Sequence, residues 1–307
     1  MSPSSDRLAI LFNPSAEGGR ALKKKGRLER LLHQWQVPFD LVVTASEEDL
    51  KARTRECAGR YCSLAGAGGD STFQIMAEEL VRSGADVNLG LIALGSSNDI
   101  AREFDLLDLD RACQALKRGK TRCIDLGVVE HGGKILRYFI GQANIGLGAR
   151  VNRHVREITE KNPRLARFQS LAGAFGIIRS YRDKEIPVPL TIRADGRQKD
   201  GFYVVANFSN IRYWATGRIL NPSARPDDGR LDSCLIRGCS FSRLARLASL
   251  ARRGKHAGAP EVEFLQAPKF EVSSEREFDV QADGEIIGGL FRSITVRIVP
   301  QALSLIA

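Results

Sequence analysis

Residues 61–72 read Tyr61-Cys62-Ser63-Leu64-Ala65-Gly66-Ala67-Gly68-Gly69-Asp70-Ser71-Thr72, and this stretch decides the fold. Tyr61–Ala65 reads as a short apolar strand, Gly66 to Asp70 as a glycine-rich turn, and Thr72–Arg82 as a helix. A strand that passes through such a turn into a helix is one βα unit of a parallel sheet. Glycines let a backbone approach a phosphate, and the helix N-terminus offers unpaired N–H groups and the positive end of a dipole. The same residues also suit an ordinary turn closing a βα unit. The stretch is not a Walker A loop, since no Gly-Lys-Ser/Thr follows. Ser71 stands where a G-x-G-x-x-G fingerprint has its third glycine.

The pattern extends in both directions. Leu8–Phe12 is a strand stopped by Asn13-Pro14, and Ala16–Gln36 a basic helix. Phe39–Thr44 is a second strand, followed by Ser46 as a helix cap with Glu47, Glu48 and Asp49 in the first turn. Asn88–Ala93 is a fourth strand, ending in Leu94-Gly95-Ser96-Ser97-Asn98-Asp99. A helix over Leu109–Arg118 leads to a strand at Arg122–Val129. Strand and helix alternate to about residue 126, which predicts a parallel sheet with helices on both faces. Polar, glycine-bearing loops follow strands one, three and four, at the carboxyl edge where such sheets bind ligands.

The rhythm then changes. His131-Gly132-Gly133-Lys134 and Asp195-Gly196 read as hairpin turns. Short strands follow at Leu190–Ile192, Phe202–Ala206, Leu231–Ile236, Val262–Leu265, Phe270–Val272, Phe278–Gln281 and Ile294–Ile298. This spacing predicts an antiparallel β-sandwich, interrupted by helical stretches at Val151–Tyr181 and Ser242–Arg253. The boundary falls near residue 127.

The whole chain has 307 residues, a net charge of +10, 43% hydrophobic residues and four histidines. That composition excludes a disordered or fibrous protein. No apolar run reaches the roughly 18 residues of a spanning helix, and no secretory signal is visible. Cys57, Cys62, Cys113, Cys123, Cys234 and Cys239 form no C-x-x-C pair, so they read as thiols of a reducing cytoplasm. No G-x-S-x-G elbow supports a serine hydrolase. The positive charge implies an anionic partner. Nucleic acid would explain it, but would leave two acidic turns unexplained, and no nucleic-acid module is present.

Those turns are Pro226-Asp227-Asp228-Gly229-Arg230 and Asp283-Gly284-Glu285. Either can be a plain Asp-Gly hairpin. Adjacent carboxylates with loop carbonyls also suit a hard cation, and a carboxylate on a rigid turn suits a general base.

Taken in order, Asn13-Pro14-Ser15, Gly68-Gly69-Asp70-x-Thr72, Leu94-Gly95-Ser96-x-Asn98-Asp99, Asp125-Leu126-Gly127, Asp227-Asp228-Gly229 and Asp283-Gly284-Glu285 resemble the diacylglycerol kinase-type lipid kinases. That group includes soluble bacterial diacylglycerol kinases, YegS-like lipid kinases, and sphingosine and ceramide kinases. The resemblance covers residues 7 to 299 or so. It implies an α/β nucleotide-binding domain with a parallel sheet over residues 1–126. A C-terminal antiparallel β-sandwich would bind the lipid over residues 127–307, its last dozen or so residues returning to the first domain. The active site would lie in the cleft between them. It implies transfer of the ATP γ-phosphate to a lipid hydroxyl of diacylglycerol, sphingoid, ceramide or phosphatidylglycerol type. Asn13, Pro14, Ser15, Ala16, Thr44, Gly68, Gly69, Asp70, Ser71, Thr72, Phe73, Gln74, Ile75, Ser96, Asn98 and Asp99 would line the ATP site. Asp228, with the carbonyls of Arg225 and Arg230, matches a structural Mg2+ site. Glu285 matches the proton acceptor, and Asp283 belongs to the same site.

Four positions depart from the family pattern. Ser71 replaces a glycine, which predicts a strained positive φ there. Gln74-Ile75 replaces an Asn-Glu pair, Ala93 a proline, and Ser96 a threonine. These changes keep a second reading open, a weak or inactive member that binds nucleotide or lipid as a regulator. A kinase acting on a soluble nicotinamide-nucleotide or sugar acceptor is a third. A lipid substrate implies a cytoplasmic enzyme held peripherally on an anionic membrane. Three basic runs could reach it: Lys23 to Arg30, Arg150 to Arg167, and Arg243 to Arg253. The stripe Phe168, Leu171, Phe175, Ile178 and Tyr181 reads either as core or as the wall of an acyl-chain site.

Overall fold

The computed structural model describes residues 7–161, 179–180 and 186–307. The aromatic stripe from Phe168 to Tyr181, and Arg164 and Arg167 of the second basic run, lie outside the described residues. The chain divides into two compact units. The first runs to Leu126 and takes in Ala215–Gly217 and Pro300–Ala307; the second comprises Gly127–Trp214 and Arg218–Val299.

In the first unit β1 (Leu8–Phe12) is wholly buried. It is followed by α1 (Ala21–Gln34), β2 (Phe39–Val43), α2 (Glu47–Ala58), β3 (Ser63–Gly68), α3 (Asp70–Ser83), β4 (Asn88–Ala93), the short α4 (Asp99–Glu103) and α5 (Leu109–Arg118). Parallel pairing gives the order β2-β1-β3-β4. The far end of the last strand, Phe291–Ile306, adds to β4 in parallel, with Leu305 beside Leu89 and Ile306 beside Gly90. Side chains on both faces are apolar, as a sheet covered by helices requires. Leu8, Ile10 and Phe12 of β1 pack with Leu28 and Leu32 of α1 and with Ile92 of β4. Ser46 caps α2, its Oγ accepting the Asp49 N–H at 3.1 Å.

The glycine-rich stretch folds differently from its first reading. Gly66 and Gly68 are not loop residues, because β3 runs through Gly68. A methyl group on Gly68 would lie 2.3 Å from Thr72 Oγ1. The glycine therefore lets α3 pack tightly across the end of its own strand. Only Gly69 forms the turn.

Among the described residues, the strands of the second unit pair antiparallel. It begins within β5 (Thr121–His131), which forms a hairpin with β6 (Lys134–Phe139). Then come β7 (Gln142–Gly146), α6 (Leu147–Lys161), β8 (Val188–Ala194), β9 (Arg197–Ser209), β10 (Tyr213–Trp214), β11 (Arg218–Ile219), β12 (Leu231–Arg237) and α7 (Phe241–Ala251). β13 (Val262–Ala267), β14 (Lys269–Phe278), β15 (Val280–Ala282), β16 (Glu285–Ile286) and β17 (Phe291–Ile306) complete the chain. β9 is the hub, pairing with β7, β8 and β12. Phe208 and Phe270 meet at a tilt of 50° with ring centroids 5.0 Å apart in the core, among Tyr203, Ile192, Val272 and Val296. Asp195-Gly196 forms the predicted β8–β9 turn, both residues left-handed at φ 47° and 73°.

Candidate active site

The carboxyl edge of the first unit's sheet gathers three loops. After β1, the Asn13 side chain accepts the Ser15 N–H at 3.0 Å and donates to Thr72 Oγ1 at 3.1 Å. That second bond ties the first loop to the start of α3. The chain then turns through Glu17, Gly18 and Gly19, all left-handed. Thr44, at the end of β2, is buried, and both its N–H and its hydroxyl donate to the Phe12 carbonyl. Ser15 and Ser96 are exposed, whereas Pro14 and Ala16 are half-buried.

The loops after β3 and β4 meet backbone to backbone. A methyl group on Gly95 would sit 2.4 Å from Gly69 Cα. Asn98 is left-handed, at φ 53°, and is held there by a reciprocal pair of bonds. Its Oδ1 accepts the Gly95 N–H at 2.9 Å, and its Nδ2 donates to the Gly95 carbonyl at 2.7 Å. Asn tolerates this conformation because its short side chain can bond locally.

Asp70 and Asp99 hold this edge together. The Asp70 carboxylate accepts the N–H groups of Asp99 and Ile100 at 3.1 and 3.0 Å, capping α4. Asp99 is buried and accepts from Ser97 Oγ at 2.7 Å, Gly217 N–H at 2.7 Å and Thr216 N–H at 3.1 Å. The segment Ala215-Thr216-Gly217 is left-handed at all three residues. Its consecutive amides face one anion, the arrangement of a nest. Nothing in the sequence marked this segment beyond a Thr-Gly pair, because its contact spans over a hundred residues.

Burial pushes the Asp70 carboxyl up to about 6, while the Ile100 and Asp99 amides pull it down and the Asp99 charge pushes it up. An acid whose folded pKa exceeds its unfolded one holds its proton more tightly when folded. Its contribution therefore favours folding most at low pH and is lost as pH rises through about 4 to 6. Asp70→Asn should gain in denaturation midpoint relative to the parent as pH rises from 4.5 to 7, with a constant difference above that. A difference independent of pH would contradict the shift.

Not every residue assigned to the ATP site reaches this edge. Phe73 and Ile75 are buried apolar residues of α3, and Gln74 is buried with its amide donating to Glu78 at 2.7 Å. Ile75 therefore substitutes within the interior. The expected strain at Ser71 is also absent. Ser71 is the second residue of α3 and does not have a positive φ. The helix starts one residue after Gly69, so that position needs no glycine. Ser71→Gly should leave the KM for ATP within about threefold and lower stability by about 0.5 kcal/mol, since glycine is the poorer helix former. Steady-state kinetics and chemical denaturation check both.

In the second unit, β15 and β16 form a two-residue hairpin with Ala282 opposite Glu285. Asp283 and Gly284 occupy the turn at φ 44° and 92°. The Asp283 carboxylate accepts three backbone N–H groups, from Ile140 at 2.7 Å, Gly141 at 3.0 Å and Gln142 at 2.8 Å. Its own N–H donates to the Gln142 carbonyl at 2.9 Å. The receiving segment is fixed in turn, the Gly141 carbonyl accepting Asn210 N–H at 2.8 Å. Asp283 thus anchors the turn, and Glu285, two residues on, is exposed.

The other acidic turn has Asp228 exposed, with Oδ1 accepting the Arg230 N–H at 3.0 Å. The Gln266 amide lies 3.4 Å from Asp228 and 3.3 Å from Asp232. Burial pushes Asp232 up to about 6, and the Asp228 charge adds to that. The Arg230 guanidinium turns away to Asp195 and the Gln266 carbonyl, both at 2.9 Å. Asp228 and Asp232 are oxygen donors of the kind a hard divalent cation takes, with the Gln266 amide hydrogen-bonded to both. Among the described residues no cluster of three or more His, Cys, Asp or Glu side chains is placed to hold a metal, so carbonyls must complete any such site.

A parallel sheet edged by these loops is followed in the same chain by an antiparallel sandwich bearing an anchored carboxylate turn. Comparison with known proteins places it more closely. Residues 7–129 match the diacylglycerol kinase catalytic domain, and residues 141–307 match the YegS C-terminal NAD kinase beta sandwich-like domain. The chain belongs to the diacylglycerol kinase and YegS-like lipid kinase family. A Mycobacterium tuberculosis (strain H37Rv) diacylglycerol kinase is 26% identical over 98% of this chain and 94% of its own length. A Pseudomonas aeruginosa (strain PAO1) protein named "Probable lipid kinase YegS-like" is 30% identical over 86% and 83%. A crystal structure of a Bacillus anthracis (strain Sterne) diacylglycerol kinase shares the fold at a TM-score of 0.72 and 15% identity, covering 99% of this chain and 98% of that one.

Proposed function

We propose that this lipid kinase transfers the γ-phosphoryl group of ATP to a lipid hydroxyl, with Glu285 as general base. The observation that carries the assignment is the turn itself, an exposed carboxylate two residues after an aspartate fixed by three amides. The lipid oxygen forms the new bond to the γ-phosphorus while the bond to the β–γ bridging oxygen breaks. Glu285 takes the hydroxyl proton and ADP leaves. Phosphoryl transfer needs positioning and charge neutralisation more than covalent help. The loops at Asn13 to Ala16, Gly69 to Thr72 and Gly95 to Asn98 supply amides and hydroxyls for the nucleotide.

Asp228, with the Arg225 and Arg230 carbonyls, would hold a structural Mg2+, which supplies charge to fasten this turn. Magnesium should therefore raise the melting temperature of the parent protein and not of Asp228→Ala, since only a site present in the folded state gains stability from its ligand. An equal rise in both would remove Asp228 from the site.

The acceptor is reached, on this proposal, at an anionic leaflet. The net charge of +10 supports it, as does α7 with the two residues after it: Phe241, Arg246, Arg252 and Arg253 are exposed while Leu244 and Leu247 are buried. No helix among the described residues is long and apolar enough to cross a membrane. Lys24, Arg150 and Arg153 are engaged with Glu17 and Asp279, so the first two basic runs offer fewer open charges than their sequences suggested. Sedimentation with phosphatidylglycerol-containing vesicles should carry the protein down at low salt, and phosphatidylcholine vesicles should not. Each basic residue near such a leaflet is worth about 1 kcal/mol. Equal partition to both vesicles would refute an electrostatic mode. Labelled phosphate transfer to a panel of diacylglycerol, sphingosine, ceramide and phosphatidylglycerol in mixed micelles tests the activity and identifies the acceptor.

A further inference from the structure

The Asp283-Gly284 turn is held from two sides, on one of them by the amides of residues 140–142. On the other side lies α6, whose Asn152 is half-buried and donates through Nδ2 to the Gly284 carbonyl at 2.7 Å. The same amide also reaches Gln281 Oε1 on β15. One side chain thus grips the strand entering the turn and the peptide immediately before Glu285. The helix that carries it is itself pinned. Arg150 pairs with buried Asp279 at 2.6 Å, and Arg153 pairs with the same carboxylate. Asp279 directly precedes β15. The three α6 contacts therefore run alongside the strand that ends at the turn.

We propose that Asn152 is a positioning residue for Glu285, setting the orientation of the Gly284–Glu285 peptide and so the direction of the carboxylate. This rests on the reading of Glu285 as the base. Asp283 fixes where the turn sits, because its carboxylate bonds to residues 140–142. It makes no bond to the Gly284–Glu285 peptide itself. Glu285 pairs with Ala282 across the hairpin, and the Gly284 carbonyl at the other end of that peptide is held by Asn152. A base must lie within hydrogen-bond reach of its proton, so a modest rotation costs rate without costing fold.

Three proteins test this: Asn152→Ala, Asn152→Asp and Glu285→Gln, together with the double variant Asn152→Ala/Glu285→Gln. Asn152→Ala should lower kcat about 10- to 100-fold, with the KM for ATP and the melting temperature little changed. Asn152→Asp keeps the shape but replaces the donor with a carboxylate facing a carbonyl. Its kcat should fall similarly at pH 8 and recover in part as pH drops and the acid regains an O–H, a profile the alanine variant lacks. In the Glu285→Gln background, Asn152→Ala should cost less than about threefold, because there is no base left to aim. If Asn152→Ala retains the parent kcat while Glu285→Gln is inactive, the positioning role is overturned and the base assignment stands. If Asn152→Ala costs the same factor in both backgrounds, its role is structural and the inference fails. If Glu285→Gln retains full kcat, the base assignment falls and the positioning role falls with it.

Discussion

Glu285→Gln is expected to lower kcat for lipid phosphorylation by about 10²- to 10⁴-fold, the range that general base catalysis supplies. The substitution keeps the shape and the exposed setting of the side chain, and removes its capacity to accept a proton. The three amides on Asp283 and the amide of Asn152 on Gly284 do not involve the Glu285 carboxylate, so the turn should persist. Binding of ATP and lipid should be close to that of the parent, and the loss should appear in kcat. Labelled transfer under saturating substrates measures it. A kcat within twofold of the parent would reject Glu285 as the base. The parent protein in the same assay separates two of the three readings left by the sequence: a regulator that binds without turnover would show no transfer.

Gly95→Ala is expected to raise the KM for ATP at least tenfold and to destabilise the protein by about 1–3 kcal/mol, as overpacking does. The added methyl would meet Gly69 Cα at 2.4 Å and Asn98 Oδ1 at 2.8 Å. The first contact is backbone, so no rotamer change relieves it. The loops after β3 and β4 must part. Asn98 loses the bracket that holds it left-handed, and α4 loses its alignment with Asp70. Isothermal titration with a non-hydrolysable ATP analogue reads the binding, and denaturation reads the fold. Unchanged affinity would show that the two loops do not form one nucleotide surface.

Much of this was legible in the sequence because it is local. The βα alternation through residue 118 follows from apolar periodicity and caps such as Ser46, and the Asp195-Gly196 and Asp283-Gly284 turns announce themselves by composition. The site was legible as a set of motifs. What each member does was less so. Asp70, Asp99 and Asp283 looked alike as acids near phosphate or substrate, and each is occupied in bonding backbone amides. Ser71 looked strained because a glycine motif was read as a loop, whereas the helix begins at Asp70. Phe73 and Ile75 looked like lining residues by adjacency, but helical geometry turns them inward. Asn152 and Thr216 carried no signal, because their partners lie about 130 and 120 residues away in sequence.

The pairing of Leu305 and Ile306 with β4 has a consequence for the order of events during synthesis. The other strands of that parallel sheet are all made by residue 93. Their last neighbour emerges from the ribosome more than two hundred residues later, which at about 5–20 residues per second is a delay of about ten to forty seconds. During that interval β4 presents an apolar edge with unpaired N–H and C=O groups. The nascent chain must be guarded against strand addition from other molecules until the sandwich has been translated. A release of the chain a few residues early would leave a protein with every site motif in place and an open sheet, prone to associate through β4.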